Sequence, residues 1–146
     1  MRAMPRLLRL PLLAALAALV LSACGNGGQP SARAERMKPA TSVTTLEVTL
    51  RQAPGAPVGI GPDGTLKLDD VVLPQSPEKM AELQQYFGQL QMRRQQVLDQ
   101  LQAGGGKPVT IAPDAQIRSL QQQLLQDFPE LRAYSASMET IRLEAR

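Results

Sequence analysis

The spacing of apolar and polar residues changes period several times along the chain, and each change predicts an element. From Val43 to Leu50 the two kinds alternate, with Leu46, Val48 and Leu50 on one side and Thr45, Glu47 and Thr49 on the other. Alternation with period two sends successive side chains to opposite faces, so this stretch predicts a half-buried strand. Arg51–Pro57 is rich in proline and glycine and reads as a turn. Two short apolar runs, Val58-Gly59-Ile60 and Leu66-Lys67-Leu68, flank Gly61-Pro62-Asp63-Gly64. Proline, aspartate and glycine at the second, third and fourth positions suit a type I turn, and hence a hairpin. Asp69-Asp70 starts another turn, and Val71-Val72-Leu73 adds a third run. The expectation is a small antiparallel meander with one face that needs cover.

The period then lengthens. Ser76-Pro77-Glu78 combines a side-chain cap, a proline at the first helical position and an acid in the first turn. The helix it opens should run to about Gln102 and stop at Gly104-Gly105-Gly106. Met80, Leu83, Phe87, Leu90, Val97 and Leu101 form its apolar seam, Tyr86 and Leu98 flank it, and Arg94 interrupts it. The seam suits packing on the meander, and its spacing also permits a coiled-coil partner. Pro108-Val109-Thr110-Ile111 is a further strand or an extended link. Ala112-Pro113-Asp114 opens a second helix with Ile117, Leu120, Leu124 and Phe128 on its apolar face. Phe128 precedes Pro129 and should leave the helical region. Residues 129–146 carry two periods at once. Leu131, Tyr134, Met138, Ile141 and Ala145 make a helical stripe, while Met138–Ala145 also alternates; the proline–acid start at Pro129-Glu130 favours helix. The fold class expected is α+β, a small antiparallel meander covered by two or three amphipathic helices.

The amino terminus follows another logic. Arg2, Arg6 and Arg9 precede an apolar run, Leu10–Leu21, which ends in Ser22 and Ala23. This is the layout of a secretory signal, and the run is shorter than the roughly 20 residues that cross a bilayer. Small residues lead directly into Cys24, the one cysteine. Leu21-Ser22-Ala23-Cys24 resembles the lipobox of bacterial lipoproteins. That resemblance implies cleavage between Ala23 and Cys24, a diacylglycerol on the Cys24 sulfur and an acyl chain such as palmitate on its amino group. Several chains are what stable anchoring needs, since one binds only reversibly. Gly25 is not the aspartate that retains lipoproteins in the inner membrane of enteric bacteria. The expected location is the outer membrane, facing the periplasm, with the inner membrane as the alternative. The expected organisation is a signal peptide at 1–23, a lipidated cysteine and flexible tether at 24–42, and one α+β domain at 43–146. The tether is expected from Asn26, Gly27, Gly28, Gln29, Pro30, Ser31 and Pro39, which offer no apolar period.

Composition sharpens this. The chain is +3 with a pI near 9.4. Three of its 16 cations lie in the signal, so the remainder holds 13 against 13 acids. The basicity belongs to the cleaved segment and gives no ground for a nucleic-acid partner. Histidine is absent, and with Cys24 acylated neither a thiolate nor the commonest general base remains. No serine sits in a nucleophile elbow or a Ser-x-x-Lys pair. Asp69-Asp70 reads as a turn, and the Gly104–Lys107 run lacks the leading glycine and the Ser/Thr of a phosphate loop. No catalytic residue, metal ligand or cofactor site is therefore expected. A glutamine-rich face (Gln84, Gln85, Gln91, Gln95, Gln96, Gln102) is solvated or receives a polar polymer.

Two further resemblances concern the domain. Ile60–Asp69 with Val72 and Leu73, a helix carrying Gln85-Tyr86, and the run Phe128-Pro129-Glu130-Leu131-Arg132-Ala133-Tyr134-Ser135 resemble the YggN-like family of bacterial envelope proteins. Asp70 departs from the glycine that family tends to have. The resemblance implies an envelope protein and no site residues. The hairpin followed by a helix, Pro108–Ile111, a helix and an alternating end is also similar to the periplasmic domain of ExbD-type proteins. That resemblance implies a strand at 138–145 and an adaptor touching a transport machine or peptidoglycan. The expected role is non-enzymatic: a lipid-anchored binding or structural component with an envelope protein partner, and an oligomeric state the sequence leaves open.

Overall fold

A computed structural model describes residues 32–146. The signal segment, Cys24 and the tether as far as Ser31 lie outside the described residues. The order of elements is α1 (Ala32–Met37), β1 (Ala40–Val43), β2 (Val48–Arg51), β3 (Val58–Ile60), β4 (Leu66–Leu68), β5 (Val71–Leu73), α2 (Pro77–Gln96), α3 (Leu98–Ala103), β6 (Val109–Ile111), α4 (Ala115–Asp127), a 3₁₀ segment (Pro129–Glu139) and β7 (Ile141–Leu143). The fold is α+β. Residues 36–146 form one unit around a single core.

The seven strands make one sheet in the order β5-β4-β3-β2-β1-β7-β6. The first five are the expected meander, each antiparallel to the next. The sheet is wider than expected because β7 returns parallel to β1 and carries β6 on its far side. Most strands are three residues long, so the sheet has three transverse rows. One is Leu73, Leu66, Ile60, Val48, Val43, Leu143 and Val109; another is Val71, Leu68, Val58, Leu50, Thr41, Ile141 and Ile111. Both face the core. Thr41, the polar member, donates its hydroxyl to the Ser137 carbonyl at 2.9 Å, which satisfies it where water cannot reach. The third row, between them, points the other way.

The helices lie over the apolar rows. Leu83, Tyr86, Phe87 and Leu90 of α2 are buried, and α2 packs on α4 through Ile117 and Leu124. The caps work as read: the Ser76 hydroxyl accepts from Lys79 N–H, and Asp114 Oδ1 accepts from Ile117 N–H at 2.9 Å. Asp114 also pairs with Arg93. The backbone hydrogen bond from Ile117 is the main reason its carboxyl titrates below the usual range. Phe128 leaves the helix at φ −122° and ψ 88°, as its position before Pro129 requires.

Four expectations are corrected. Val43–Leu50 is not one strand: β1 begins at Ala40, inside the expected tether, and turns back at Thr44–Glu47 to form β2. The Thr44 hydroxyl accepts from the N–H groups of Leu46 and Glu47, closing a local turn that the alternation concealed. Leu46 therefore stands at the tip, 77% exposed, rather than on the core face. The tether also contains helix α1. The long helix is broken at Val97, where φ is −109° and ψ is 12°, and resumes as α3 before the glycines. Residues 129–146 are helical only to Glu139. Ile141–Leu143 are a strand because their hydrogen bonds are taken by β1 and β6, a long-range pairing that local period cannot reveal.

Arg94 settles the interrupted seam. It is 5% exposed, and its guanidinium donates to the carbonyls of Glu144 and Ala145, both at 2.7 Å. The seam is used within the domain, and its arginine clamps the chain just beyond β7. The 3₁₀ segment is tied down similarly. Tyr134 donates its hydroxyl to Ala56 O at 2.6 Å, and Ser137 N–H donates to the Gln52 side chain. Tyr134 and Ser137 of the 3₁₀ segment therefore hold the β2–β3 loop.

Candidate functional site

The covered face of the sheet is filled by core, so chemistry is confined to the helix surface, the loops and the opposite sheet face. That open face presents the third row: Val72, Lys67, Gly59, Thr49, Ser42, Arg142 and Thr110. Its centre is small or hydroxyl-bearing, and a cation stands on either side. Gly59 leaves room for a neighbour: a Cβ there would lie 1.8 Å from Glu47 Oε1, so the Glu47 carboxylate rests across the position. Arg51 extends the same face two residues beyond Thr49 on β2, and Glu144 extends it beyond Arg142.

A trough of about 450 Å³ opens on this face, lined by Ser42, Thr44, Thr49, Arg51, Gly106, Glu144, Ala145 and Arg146. The floor is Ser42 and its cross-strand partner Thr49. Arg51 lies toward one end. Glu144 and Arg146 lie toward the other, where Thr45 N–H donates to Arg146 O and holds the chain against the β1–β2 turn. A second groove, of about 540 Å³, runs between α4 and the 3₁₀ segment and is lined by Gln122, Leu125, Gln126, Arg132 and Ser135. Arg132 is engaged there, its Nε donating to Leu125 O at 3.0 Å.

The residues weighed for chemistry from the sequence fall as follows. Asp69 and Asp70 form the two-residue turn between β4 and β5, both with positive φ (50° and 64°), the pattern of a type I′ hairpin. They are a turn and share no site. Gly104–Gly106 ends α3, with Gly105 and Gly106 at φ 64° and 87°. Gln84, Gln85, Gln95, Gln96 and Gln102 are exposed, whereas Gln91 is half-buried and donates to Thr44 O. The glutamine face is thus partly structural. Among the described residues no group of three or more acids, histidines or cysteines could hold a metal, and no helix is long and apolar enough to cross a membrane. Ala23 and Cys24 lie outside the described residues.

Two polar groups that the sequence did not single out lie where α2 packs on α4, Gln121 buried and Glu82 half-buried. Gln121 donates to Tyr86 Oη at 3.2 Å and to Met138 O at 3.0 Å. Burial pushes the Tyr86 phenol up to about 12, which keeps it neutral. Glu82, on α2, faces Asp127, the last residue of α4. Desolvation first, and the Asp127 carboxyl second, raise the Glu82 pKa above the ordinary range. The Gln121–Tyr86 cluster is enclosed by the packing of α2 on α4, whereas Glu82 and Asp127 are half-buried at its edge; neither cluster lines the two cavities.

The sequence reading missed the open-face row, and the reason is specific. Ser42 fell within the expected tether, and Arg142 lay in a segment read as helix. Thr49 and Lys67 were legible as outward-facing strand positions. Their alignment with Ser42 and Arg142 depends on the β1–β7 pairing.

Comparison with protein families, curated proteins and solved structures finds no match for this chain.

Proposed function

We propose that this protein is a lipid-anchored component of the bacterial cell envelope that binds rather than catalyses, and that the open sheet face is its recognition surface. The observation that carries the reading is the one-sided cover of the sheet: apolar rows under the helices, a hydroxyl and cation row on the other side. A sheet face with small central residues and flanking charges offers a shallow, polar contact surface. The lipobox-like Leu21-Ser22-Ala23-Cys24 supports acylation at Cys24 and placement at the outer membrane, facing the periplasm. The lack of histidine, and a single cysteine given over to lipid, support a binding role over an enzymatic one.

The experiment has two arms. Cys24→Ala should abolish acylation and release the protein from membranes; persistence in the membrane fraction overturns the anchor. A photocrosslinking residue at Lys67 should capture an envelope component in intact cells, while the same residue at exposed Gln84 should not. Equal capture at both positions, or capture at Gln84 alone, overturns the assignment of the face.

One observation favours a second reading. Val109–Ile111 is a strand, and Ile141–Leu143 is one within the 138–145 that the resemblance to ExbD-type periplasmic domains implies, although Met138 and Glu139 belong to the 3₁₀ segment. On that reading the protein is an adaptor contacting a transport machine or peptidoglycan. Cosedimentation with purified peptidoglycan tests the latter contact; loss of cosedimentation in Lys67→Glu supports it, and no cosedimentation of the unaltered protein removes it.

A further inference from the structure

Five large apolar side chains stand exposed among the described residues: Met37, Leu46, Val71, Val72 and Met92. Two of them are neighbours in sequence, and both belong to β5, the strand at one edge of the sheet. Val71 is 63% exposed although its row runs under the helices, so the helical cover stops short of this edge. Val72, on the other face, is 54% exposed. β5 therefore shows apolar surface on both sides of the sheet.

The neighbouring ladder fixes where the backbone of β5 points. Asp69 N–H donates to Pro57 O at 3.0 Å and Gly61 N–H donates to Thr65 O at 2.9 Å, so Thr65 and Asp69 turn their peptide groups toward β3. Alternation along an antiparallel strand turns Lys67 the same way, and turns Leu66 and Leu68 toward Leu73 and Val71 of β5. Val72 is left with its N–H and C=O directed out of the sheet. Pro74, the next residue to point outward, has no N–H, so Val72 is the one residue of this edge that offers both groups.

A second copy of the chain fits this edge by symmetry. With a two-fold axis at Val72, the two Val72 residues exchange N–H···O=C bonds, and Val71 of each copy lies opposite Leu73 of the other. Every apolar side chain of β5 then meets an apolar one on its own face. The axis also sends the Asp69-Asp70 turns of the two copies to opposite ends, whereas a parallel pairing would set the four carboxylates side by side. The far edge of the sheet is guarded: β6 presents Thr110 between Lys107-Pro108 and Ala112-Pro113, a charge and prolines that oppose strand addition. Pairing at β5 therefore closes at two copies and does not run on as a fibre.

We propose that β5 is a self-recognition edge, through which two copies of this protein join antiparallel at Val72 into one continuous sheet. A three-residue edge buries far less than the roughly 1,200 Å² of a stable complex, so the dimer is weak and forms where the chain is concentrated.

The test is oxidative crosslinking of the full-length chain in intact cells with a membrane-permeant thiol oxidant, read by mass spectrometry as the disulfide-linked peptide that joins the substituted position to itself. Directly paired Cα atoms of this kind lie about 5.5 Å apart, within disulfide reach. Val72→Cys is expected to give the symmetric peptide at a yield at least tenfold above that of Thr110→Cys on the far edge. Adding Val71→Lys, which sets a charge against Leu73 of the second copy, is expected to lower the Val72→Cys yield at least fivefold. Val71 is exposed, so an unchanged thermal midpoint in Val71→Lys separates lost pairing from lost structure. Equal yields at the two edges report random collision and overturn the proposal. Absence of the symmetric peptide at Val72, or a yield indifferent to Val71→Lys, overturns it too. The outcome is independent of capture from Lys67, which is scored on a component other than this chain.

Discussion

Gly64 ends the β3–β4 turn, where Gly64 N–H donates to Gly61 O at 3.1 Å and φ is +79°. The turn also docks on the start of α2. A Cβ at Gly64 would lie 2.2 Å from Met80 O and 2.8 Å from the Met80 carbonyl carbon. These are helix backbone atoms, already fixed by the cap at Ser76, and they cannot rotate aside. Gly64→Ala therefore incurs two costs. A non-glycine residue in the left-handed region costs about 1–2 kcal/mol. Forcing extra volume against fixed atoms costs about 1–3 kcal/mol more. Reduced freedom of the unfolded chain returns roughly 0.4–1 kcal/mol. The net loss is about 2–4 kcal/mol. Gly105 is the internal control: its φ is +64°, but a Cβ there meets nothing within 4 Å. Gly105→Ala carries only the conformational cost, about 1 kcal/mol or less after the same offset. Urea unfolding followed by far-ultraviolet circular dichroism compares them, with the slope against denaturant as the check on two-state behaviour. Equal destabilisation by the two variants would refute the contact between the turn and α2, and so the packing of the meander against the helix that covers it.

Leu90 is fully buried beneath the sheet, and Leu90→Ala should cost about 2–5 kcal/mol in the same assay; a near-neutral result would place the α2 seam at the surface. Arg94→Leu should destabilise by about 1–3 kcal/mol, because two carbonyls lose a charged donor, and should leave the molecular mass by light scattering unchanged. A shift to dimer would instead restore the coiled-coil use of the seam. Glu82 has a folded pKa above its unfolded value, so it favours the folded state most at pH below the ordinary glutamate range, and this contribution is lost as pH rises through the raised value. Glu82→Gln should therefore flatten the fall in stability across that interval, whereas an unchanged pH profile would show that Asp127 and burial do not act on Glu82.

Much of the element list was legible because its signals are local. Ser76 and Asp114 cap through hydrogen bonds three residues away, and a proline follows the one and precedes the other. Gly61-Pro62-Asp63-Gly64 makes the turn its residue types dictate, and the Asp63 carboxylate accepts from Thr65 N–H besides. Phe128 leaves the helix because the next residue is proline. Where local signals conflicted, the reading slipped. Thr45–Leu50 alternates straight through a turn closed by the Thr44 hydroxyl, a weaker marker than glycine or proline, and the only local break is the Thr44-Thr45 pair. Residues 138–145 satisfy two periods, and the choice between them was made elsewhere in the chain. As for the candidate site, Lys67 and Thr49 could be placed on an outer face, but nothing local joined them to Ser42 and Arg142.

The sequence by itself determined the α+β class, most of the meander, the helix starts at Ser76 and Asp114, the stops at the glycines and at Phe128, and the neutrality of residues 24–146, since composition, caps and turns act over a few residues. Tertiary structure decided what Arg94 is for and which residues stand beside Arg142. β7 pairs with β1 across a hundred residues. That pairing sets the register that brings Arg142 beside Ser42, and it brings the carbonyls of Glu144 and Ala145 to Arg94. A hydrophobic seam with an arginine in it has no single meaning along the chain. It acquires one when a strand from the far end arrives to be clamped.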